Sequence, residues 1–331
     1  MSREVRVGVV GLGKMGLLHA SLLNTFSDVK LVALCEKSSL VLRFGKKIFR
    51  DQHLVDNVQE LHRYDLDAAL VTTPIPSHFA ISNEILTRGI AKHLFVEKTL
   101  SSSYENSEAL CKLAETSKGV NMVGYMKRFN VMFRKAKQML ADGVIGEVTS
   151  FDAFAFSSDF ASVGKGSNIS ASRGGVLRDL GGHIIDLALW FFGNMTVKSA
   201  KLEPSGLVSE DAVQISVKTT SGLHGSFAIS WCEMGYRLPE FGLTINGSNG
   251  IMRVTDDKLE LKPNDGETQK WYRQNLDDSV AFLLGDPEYF REDKQFIKAI
   301  LEGGTGEPSF LSASRVDYVL DQVKNGAVNH G

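Results

Sequence analysis

Between residues 6 and 124, short apolar runs recur at regular intervals, separated by polar stretches whose apolar residues keep helical spacing. Arg6–Val10, Lys30–Cys35, Ala68–Val71, His93–Val96 and Val120–Gly124 read as buried strands. Lys14–Phe26, Leu40–Lys47, Ser77–Arg88 and Tyr104–Thr116 read as the helices between them. Short runs with no polar alternation are strands covered on both faces, and strict strand–helix alternation predicts βαβ units on a parallel sheet. The expectation is an α/β, doubly wound domain over residues 1–124, with strand ends that face a ligand crevice.

The rhythm changes after residue 124. A helical stretch, Val131–Ala141, precedes the strand Val148–Phe156, a Gly/Ser-rich loop over Ser157–Gly175 and an apolar helix, Leu180–Phe192. Strands follow at Lys198–Glu203, Ala212–Thr220, His224–Ser230, Phe241–Asn246, Gly250–Thr255 and Lys258–Leu261. Ser221-Gly222, Asn246-Gly247 and Asn249-Gly250 mark tight turns between them. Consecutive strands without intervening helices predict a mostly antiparallel sheet. The helices Asp293–Leu301 and Ser312–Val323 then close a second domain, residues 125–331.

Composition narrows the classes of function. At 331 residues, with 43% hydrophobic and 23% charged positions, the chain has the size and make-up of a two-domain globular enzyme. Its 37 basic and 39 acidic side chains leave a formal charge of −2, without the concentrated basic surface that nucleic acid requires. No run approaches the ~18 apolar residues of a membrane span. Met1–Glu4 lead straight into a strand, which leaves no signal peptide to expect and points to the cytoplasm. Cys35, Cys111 and Cys232 are too few and too scattered for a disulfide framework or a metal site, so no metal is expected.

The first strand ends in Gly11-Leu12-Gly13-Lys14-Met15-Gly16, a G-x-G-x-x-G opening a helix. In this context the first glycine permits the turn and the second admits a pyrophosphate to the backbone. The third lets helix and strand pack closely. Glu36, at the end of the second strand, stands where a carboxylate would accept the adenosine ribose hydroxyls and repel a 2′-phosphate. NAD is therefore expected over NADP, although Lys37 and Arg43 would soften the repulsion.

Val71-Thr72-Thr73-Pro74-Ile75-Pro76-Ser77-His78 and Phe95-Val96-Glu97-Lys98-Thr99 also follow predicted strand ends. Lys98 there can hydrogen-bond a substrate oxygen, or it is a solvated loop lysine. In Gly174-Gly175-Val176-Leu177-Arg178-Asp179-Leu180-Gly181-Gly182-His183-Ile184-Ile185-Asp186, helical spacing places Asp179, His183 and Asp186 on one face. Buried Asp and His demand partners, and the glycines of this turn suggest that something approaches the backbone closely. Taken singly, Asp179 could be a helix cap, His183 a core histidine and Asp186 its acceptor.

In this order, Gly11-x-Gly13-x-x-Gly16, Thr73-Pro74…His78, Glu97-Lys98, Gly124-Tyr125…Arg128-Phe129 and Asp179-x-x-x-His183-x-x-Asp186 resemble the Gfo/Idh/MocA family of dehydrogenases. The resemblance implies an N-terminal Rossmann domain and a C-terminal α/β domain with an open-faced sheet through which homodimers or homotetramers form. It makes Lys98 the catalytic lysine, Asp179 and His183 the acid/base and substrate-orienting pair, and Pro74, His78, Glu97 and Arg128 neighbours of cofactor and active cleft. The family's usual Glu-Lys-Pro is here Glu97-Lys98-Thr99. Loss of the proline frees the backbone and returns an N–H, so a less rigidly set lysine is expected.

The cofactor contacts expected are Gly11, Gly13, Lys14, Met15, Gly16, Glu36, Thr73, Pro74, His78, Glu97, Lys98 and Arg128. Arg173 and Asn168 are expected to join Lys98, Asp179 and His183 around a small polyhydroxylated substrate. The expected reaction is NAD-dependent oxidation of a secondary alcohol on a sugar, nucleotide sugar or cyclitol. His183 is the base, Lys98 the partner of the reacting oxygen, Asp179 the anchor of Lys98 or of a substrate hydroxyl, and Asp186 the group that orients His183. The rivals are an NADP(H)-dependent keto-sugar reductase, a dihydrodiol or biliverdin-reductase type of activity, and a non-catalytic dinucleotide-binding regulator.

Overall fold

The computed structural model describes residues 4–158, 174–204, 210–276, 278, 280 and 286–327. The chain divides into two compact units, residues 1–125 with 289–317 and residues 126–288 with 318–331. Tyr289–Asp317, placed in the second domain by its order along the chain, folds with the first unit because its contacts are remote in sequence. Val123 donates its N–H to the Pro308 carbonyl (2.8 Å), and Phe310 donates its own to Asn121 Oδ1 (2.8 Å). Asp317 accepts from the Ser107 hydroxyl (2.6 Å).

The first unit runs β1 (Val5–Val10), α1 (Lys14–Leu23), β2 (Val29–Cys35), α2 (Ser39–Ile48), β3 (His53–Val55) and a 3₁₀ segment at Val58–Tyr64. It continues with β4 (Ala68–Val71), α3 (His78–Thr87), β5 (His93–Glu97), α4 (Tyr104–Ser117) and β6 (Asn121–Gly124). All six strands are parallel, in the order β3-β2-β1-β4-β5-β6. The chain changes direction of winding between β1 and β4, which is where a doubly wound sheet opens a crevice at its carboxyl edge. Every residue of β4 is buried, as expected of a strand covered on both faces. Helix starts are chemically marked: Ser38 caps α2 and Ser103 caps α4 by accepting from a backbone N–H three residues on.

The second unit contains α5 (Val131–Ala141), β7 (Val148–Phe156), a π-helical turn at Leu177–Gly181, α6 (Gly182–Phe192) and β8 (Met195–Pro204). Then come β9 (Glu210–Thr219), β10 (His224–Ser230), β11 (Glu240–Gly247), β12 (Gly250–Thr255), β13 (Lys258–Pro263) and β14 (Gln269–Tyr272). The eight strands order as β14-β13-β12-β11-β7-β10-β9-β8, antiparallel except where β10 meets β7. Phe151, Val213, Ile215, Phe227, Leu243 and Val254 point into the core, whereas Asp152, Gln214, Ser226 and Arg253 are exposed on the other face. This alternation is that of a sheet with one solvated face. Two further helices, α7 (Pro287–Glu302) and α8 (Phe310–Ala327), end the chain. Among the described residues no helix is long and apolar enough to cross a membrane.

Candidate active site

The three glycines of the β1–α1 turn are needed for three different reasons. Gly11 has φ +94°, and a Cβ on it would lie 2.8 Å from Thr73 Cγ2. A Cβ on Gly16 would stand 1.8 Å from the Gly11 carbonyl oxygen, so helix and turn are in contact through the missing side chain. Around a Cβ on Gly13 there is nothing within 4 Å. Gly13 therefore faces open space, directly before an α1 N-terminus that no side chain caps and whose first turn carries no acidic residue. Orphan N–H groups, the positive end of the helix and the open space beside Gly13 form a cradle that suits a pyrophosphate. Lys14, exposed, and Met15, half-buried, form the first turn.

Glu36 lies across this turn. Its Oε2 accepts the Leu12 N–H (2.7 Å) and its Oε1 the Ser38 N–H (2.8 Å). The carboxylate is thereby fixed beside the cradle with lone pairs left for ribose hydroxyls. Thr72 supports the turn from β4 by donating its hydroxyl to the Val10 and Gly11 carbonyls (3.0 and 2.7 Å). Thr73 stands against Gly11, and Pro74 beyond it is exposed.

Lys98 leaves the same carboxyl edge one residue past β5 and is half-buried. Its backbone is held by neighbours that are buried. The Glu97 carboxylate accepts the Lys98 N–H through Oε2 (3.0 Å), and its Oε1 faces His19 Nε2 (3.0 Å). Nδ1 of His19 faces Asp293 Oδ1 at 2.7 Å. Burial opposes a charge on His19, but Asp293 and Glu97 together outweigh it and hold its pKa well above the ordinary value. Burial likewise pushes Glu97 up, and His19 and Lys98 bring it below the usual carboxylate range. For Asp293 burial prevails, and its pKa is raised.

His78, expected beside the cofactor, is fully buried and joins two loops: Nδ1 meets the Thr99 carbonyl (2.8 Å) and Nε2 the Thr73 carbonyl (2.6 Å). Burial lowers the His78 pKa, although the Thr99 and Thr73 carbonyls both favour the protonated ring. The Lys98–Thr99 peptide is cis. Thr99 is itself buried, donates its hydroxyl to the Ser101 carbonyl (3.1 Å) and receives His78, so hydrogen bonds hold the loop in which a freer backbone was expected. His19 escaped the sequence reading. The available signal was a histidine on the buried face of α1, with Gly16, Ala20 and Leu23 as its company.

In the second unit Asp179, in the turn before α6, and His183, in the first turn of α6, are both half-buried. The turn Leu177–Gly181 is π-helical, so the count of 3.6 residues that put Asp179, His183 and Asp186 on one face does not hold across it. Asp179 donates its N–H to the Gly175 carbonyl (3.0 Å) and thus lies inside the turn rather than at a cap. Glu210, from β9, accepts the Leu177 N–H (3.2 Å), and a Cβ on Gly175 would collide with the same carboxylate at 2.2 Å. The nearest neighbours of a Cβ on Gly181 are Ile229 of β10 (3.2 Å) and Leu177 (3.3 Å). What approaches these glycines is the protein itself.

The His183 ring stands edge-on to Phe241, with centroids 5.4 Å apart. Asp186 is fully buried and takes a two-pronged contact from Arg128, Nε to Oδ2 at 2.8 Å and Nη2 to Oδ1 at 2.6 Å. Arg128 also stacks over Trp190 (5.9 Å). Asp186 and Arg128, expected separately beside His183 and the cofactor, are brought together as a buried ion pair; removal of either partner would cost about 3–5 kcal/mol. Arg173 and Asn168 lie outside the described residues. Among the described residues no group of three or more His, Cys, Asp or Glu side chains is arranged to hold a metal ion.

A parallel sheet in the order 3-2-1-4-5-6, with a glycine-rich turn at its switch point and the Glu36 carboxylate bonded to that turn after β2, defines a dinucleotide-binding protein. Residues 5–125 match the model of an oxidoreductase family with an NAD-binding Rossmann fold, and residues 133–253 match a GFO/IDH/MocA C-terminal domain. The chain belongs to the Gfo/Idh/MocA family of NAD-binding oxidoreductases. It is 26% identical over 326 residues to an inositol 2-dehydrogenase of Rhizobium meliloti, covering 92% of this chain and 91% of that protein. Its fold matches that of a levoglucosan dehydrogenase in complex with NADH and levoglucosan (TM-score 0.86, 22% identity, 99% and 98% of the two chains). It also matches a 3-ketoreductase from Actinomadura kijaniata in complex with NADP (TM-score 0.79, 19% identity, 98% of each chain).

Proposed function

We propose that the protein oxidises a secondary alcohol of a sugar, nucleotide sugar or cyclitol, with NAD as acceptor. The observation that carries this reading is the placement of Lys98 at the carboxyl edge of the sheet whose β1–α1 turn forms the cradle, with Glu97 and His19 fixed behind it. Likeness to an inositol 2-dehydrogenase over 92% of the chain supports a polyhydroxylated substrate.

Gly11, Gly13, Gly16 and the N-terminus of α1 bind the pyrophosphate, and Glu36 accepts the ribose hydroxyls and disfavours a 2′-phosphate. Bound nicotinamide supplies a hydride acceptor for the carbinol carbon. Lys98 donates a hydrogen bond to the reacting oxygen and stabilises the negative charge that develops as its proton leaves. His183 takes that proton as the general base. Asp179 accepts from a further substrate hydroxyl and so selects the orientation in which the C–H can react. The reverse reaction, reduction of a keto-sugar, uses the same groups.

Incubation of the protein with a panel of inositols, free sugars and UDP-sugars, each with NAD and with NADP, tests this reading through absorbance at 340 nm. Turnover with at least one polyol, faster with NAD, is the expected result. Tight dinucleotide binding with no turnover of any panel member in either direction would favour the regulatory rival.

A further inference from the structure

His19 sits in the second turn of the helix whose first turn faces the cradle, and it is completely enclosed. An imidazole at such a place is usually bonded through one nitrogen to a backbone carbonyl. Here both nitrogens meet carboxylates from distant parts of the chain: Glu97, at the end of β5, and Asp293, on α7. The second oxygen of Glu97 receives the backbone N–H of Lys98. The space around Glu97 is equally specified, because a Cβ on Gly124 would lie 3.1 Å from Glu97 Oε2. The ring of His19 is further wedged by Phe95 (centroids 5.3 Å apart) and by the edge of Tyr289 (6.0 Å).

Two carboxylates can each accept from the ring only when both nitrogens carry a proton. Burial of so many charges without solvent is costly unless each is paired, and breaking such a set exposes an uncompensated charge in the interior. A hydrophobic residue of similar size would fill this space more cheaply. The arrangement instead ties three things rigidly together: the helix that receives the cofactor, the peptide that carries Lys98, and α7.

We propose that Asp293–His19–Glu97 is a positioning relay that sets the Lys98 ammonium for the reaction, with His19 as its central positioning residue. The proposal rests on the reading of Lys98 as the partner of the reacting oxygen. A shift of about 1 Å in a positioned group costs on the order of 10²-fold in rate. His19→Gln, whose neutral amide N–H can donate to one of the two carboxylates but not carry the charge between them, is expected to lower kcat about 100-fold. The KM for NAD should stay within about twofold. Asp293→Asn leaves the His19–Glu97 contact in place and is expected to lose about tenfold.

The decisive test is the pairing of His19→Gln with Lys98→Ala, assayed with the panel alcohol of highest kcat/KM. If His19 acts through Lys98, the double variant is no slower than Lys98→Ala alone. Multiplicative losses would overturn the relay, as would full turnover by a folded His19→Gln. If Lys98→Ala itself retains full turnover, the reading of Lys98 fails and the relay falls with it, a pattern distinct from failure of the relay alone.

A second readout needs neither substrate nor cofactor. In the cofactor-free protein, acetic anhydride labelling followed by peptide mass spectrometry should show Lys98 modified at least threefold faster in His19→Gln and Asp293→Asn, with the exposed Lys118 unchanged. An unchanged Lys98 rate in both variants would overturn the proposal. Should His19→Gln not fold, Asp293→Asn carries both readouts.

Discussion

Glycines gather in the β1–α1 turn and again between residues 174 and 182, and a side chain added at each place would meet different things. At Gly13 it would meet open space; at Gly175 it would strike the Glu210 carboxylate, and at Gly181 the side chains of Ile229 and Leu177. Gly13 thus faces open space, whereas Gly175 and Gly181 keep room for the chain itself. A cluster of glycines is a signal of close approach, and only the surroundings decide whether ligand or protein approaches. The same contrast separates the chemistry. The first region offers backbone N–H groups and the Glu36 carboxylate; in the reaction proposed above, Lys98, Asp179 and His183 are the groups that donate and accept protons.

If binding and chemistry divide in this way, Lys98→Ala and His183→Ala should each lose 10²–10⁴-fold in kcat while NAD affinity stays within about twofold. Stopped-flow turnover beside calorimetric titration checks both numbers, and a fully active His183→Ala would remove it from the reaction. A smaller effect is expected at Glu36. The protein should bind NAD at least tenfold tighter than NADP, about 1.4 kcal/mol, and Glu36→Gln should erase most of that preference. Equal affinities in the unaltered protein would mean that Lys37 and Arg43 govern this end of the cradle. The smallest effect should come from Gly181→Ala. Helix propensity favours alanine by about 1 kcal/mol, but overpacking against Ile229 and Leu177 costs about 1–3 kcal/mol. The net loss expected in urea denaturation is about 1 kcal/mol, with NAD affinity unchanged; a gain in stability would show that the packing there is loose.

The first unit was the more legible of the two. Strands of unbroken apolar residues, a glycine triplet and an acidic residue at a fixed remove are local signals, and they imply a parallel, doubly wound sheet. The short β3 and the edge strand β14 carry too few apolar positions to register as strands. The π-helical turn at Leu177–Gly181 is a backbone widening that hydrophobic periodicity does not encode, and it displaced the count linking Asp179 to His183. The remaining differences are contacts between residues far apart in sequence. Asp186 found Arg128, Glu97 found His19, and His19 found Asp293, 274 positions away, on a segment that joins the first unit. Charge pairs of this kind are fixed by tertiary packing, and a single sequence shows only that each member needs a partner.

Titration of NAD into the unaltered protein and into Gly13→Val tests the central claim most directly. Gly13 has an extended backbone (φ −68°, ψ −169°) and nothing within 4 Å of a Cβ, so valine fits the fold and fills only the cradle. The melting temperature should stay the same while NAD affinity falls at least 100-fold, about 2.7 kcal/mol. A folded Gly13→Val that binds NAD as tightly as the unaltered protein would contradict the account, because the space before α1 would then not be the site of the dinucleotide.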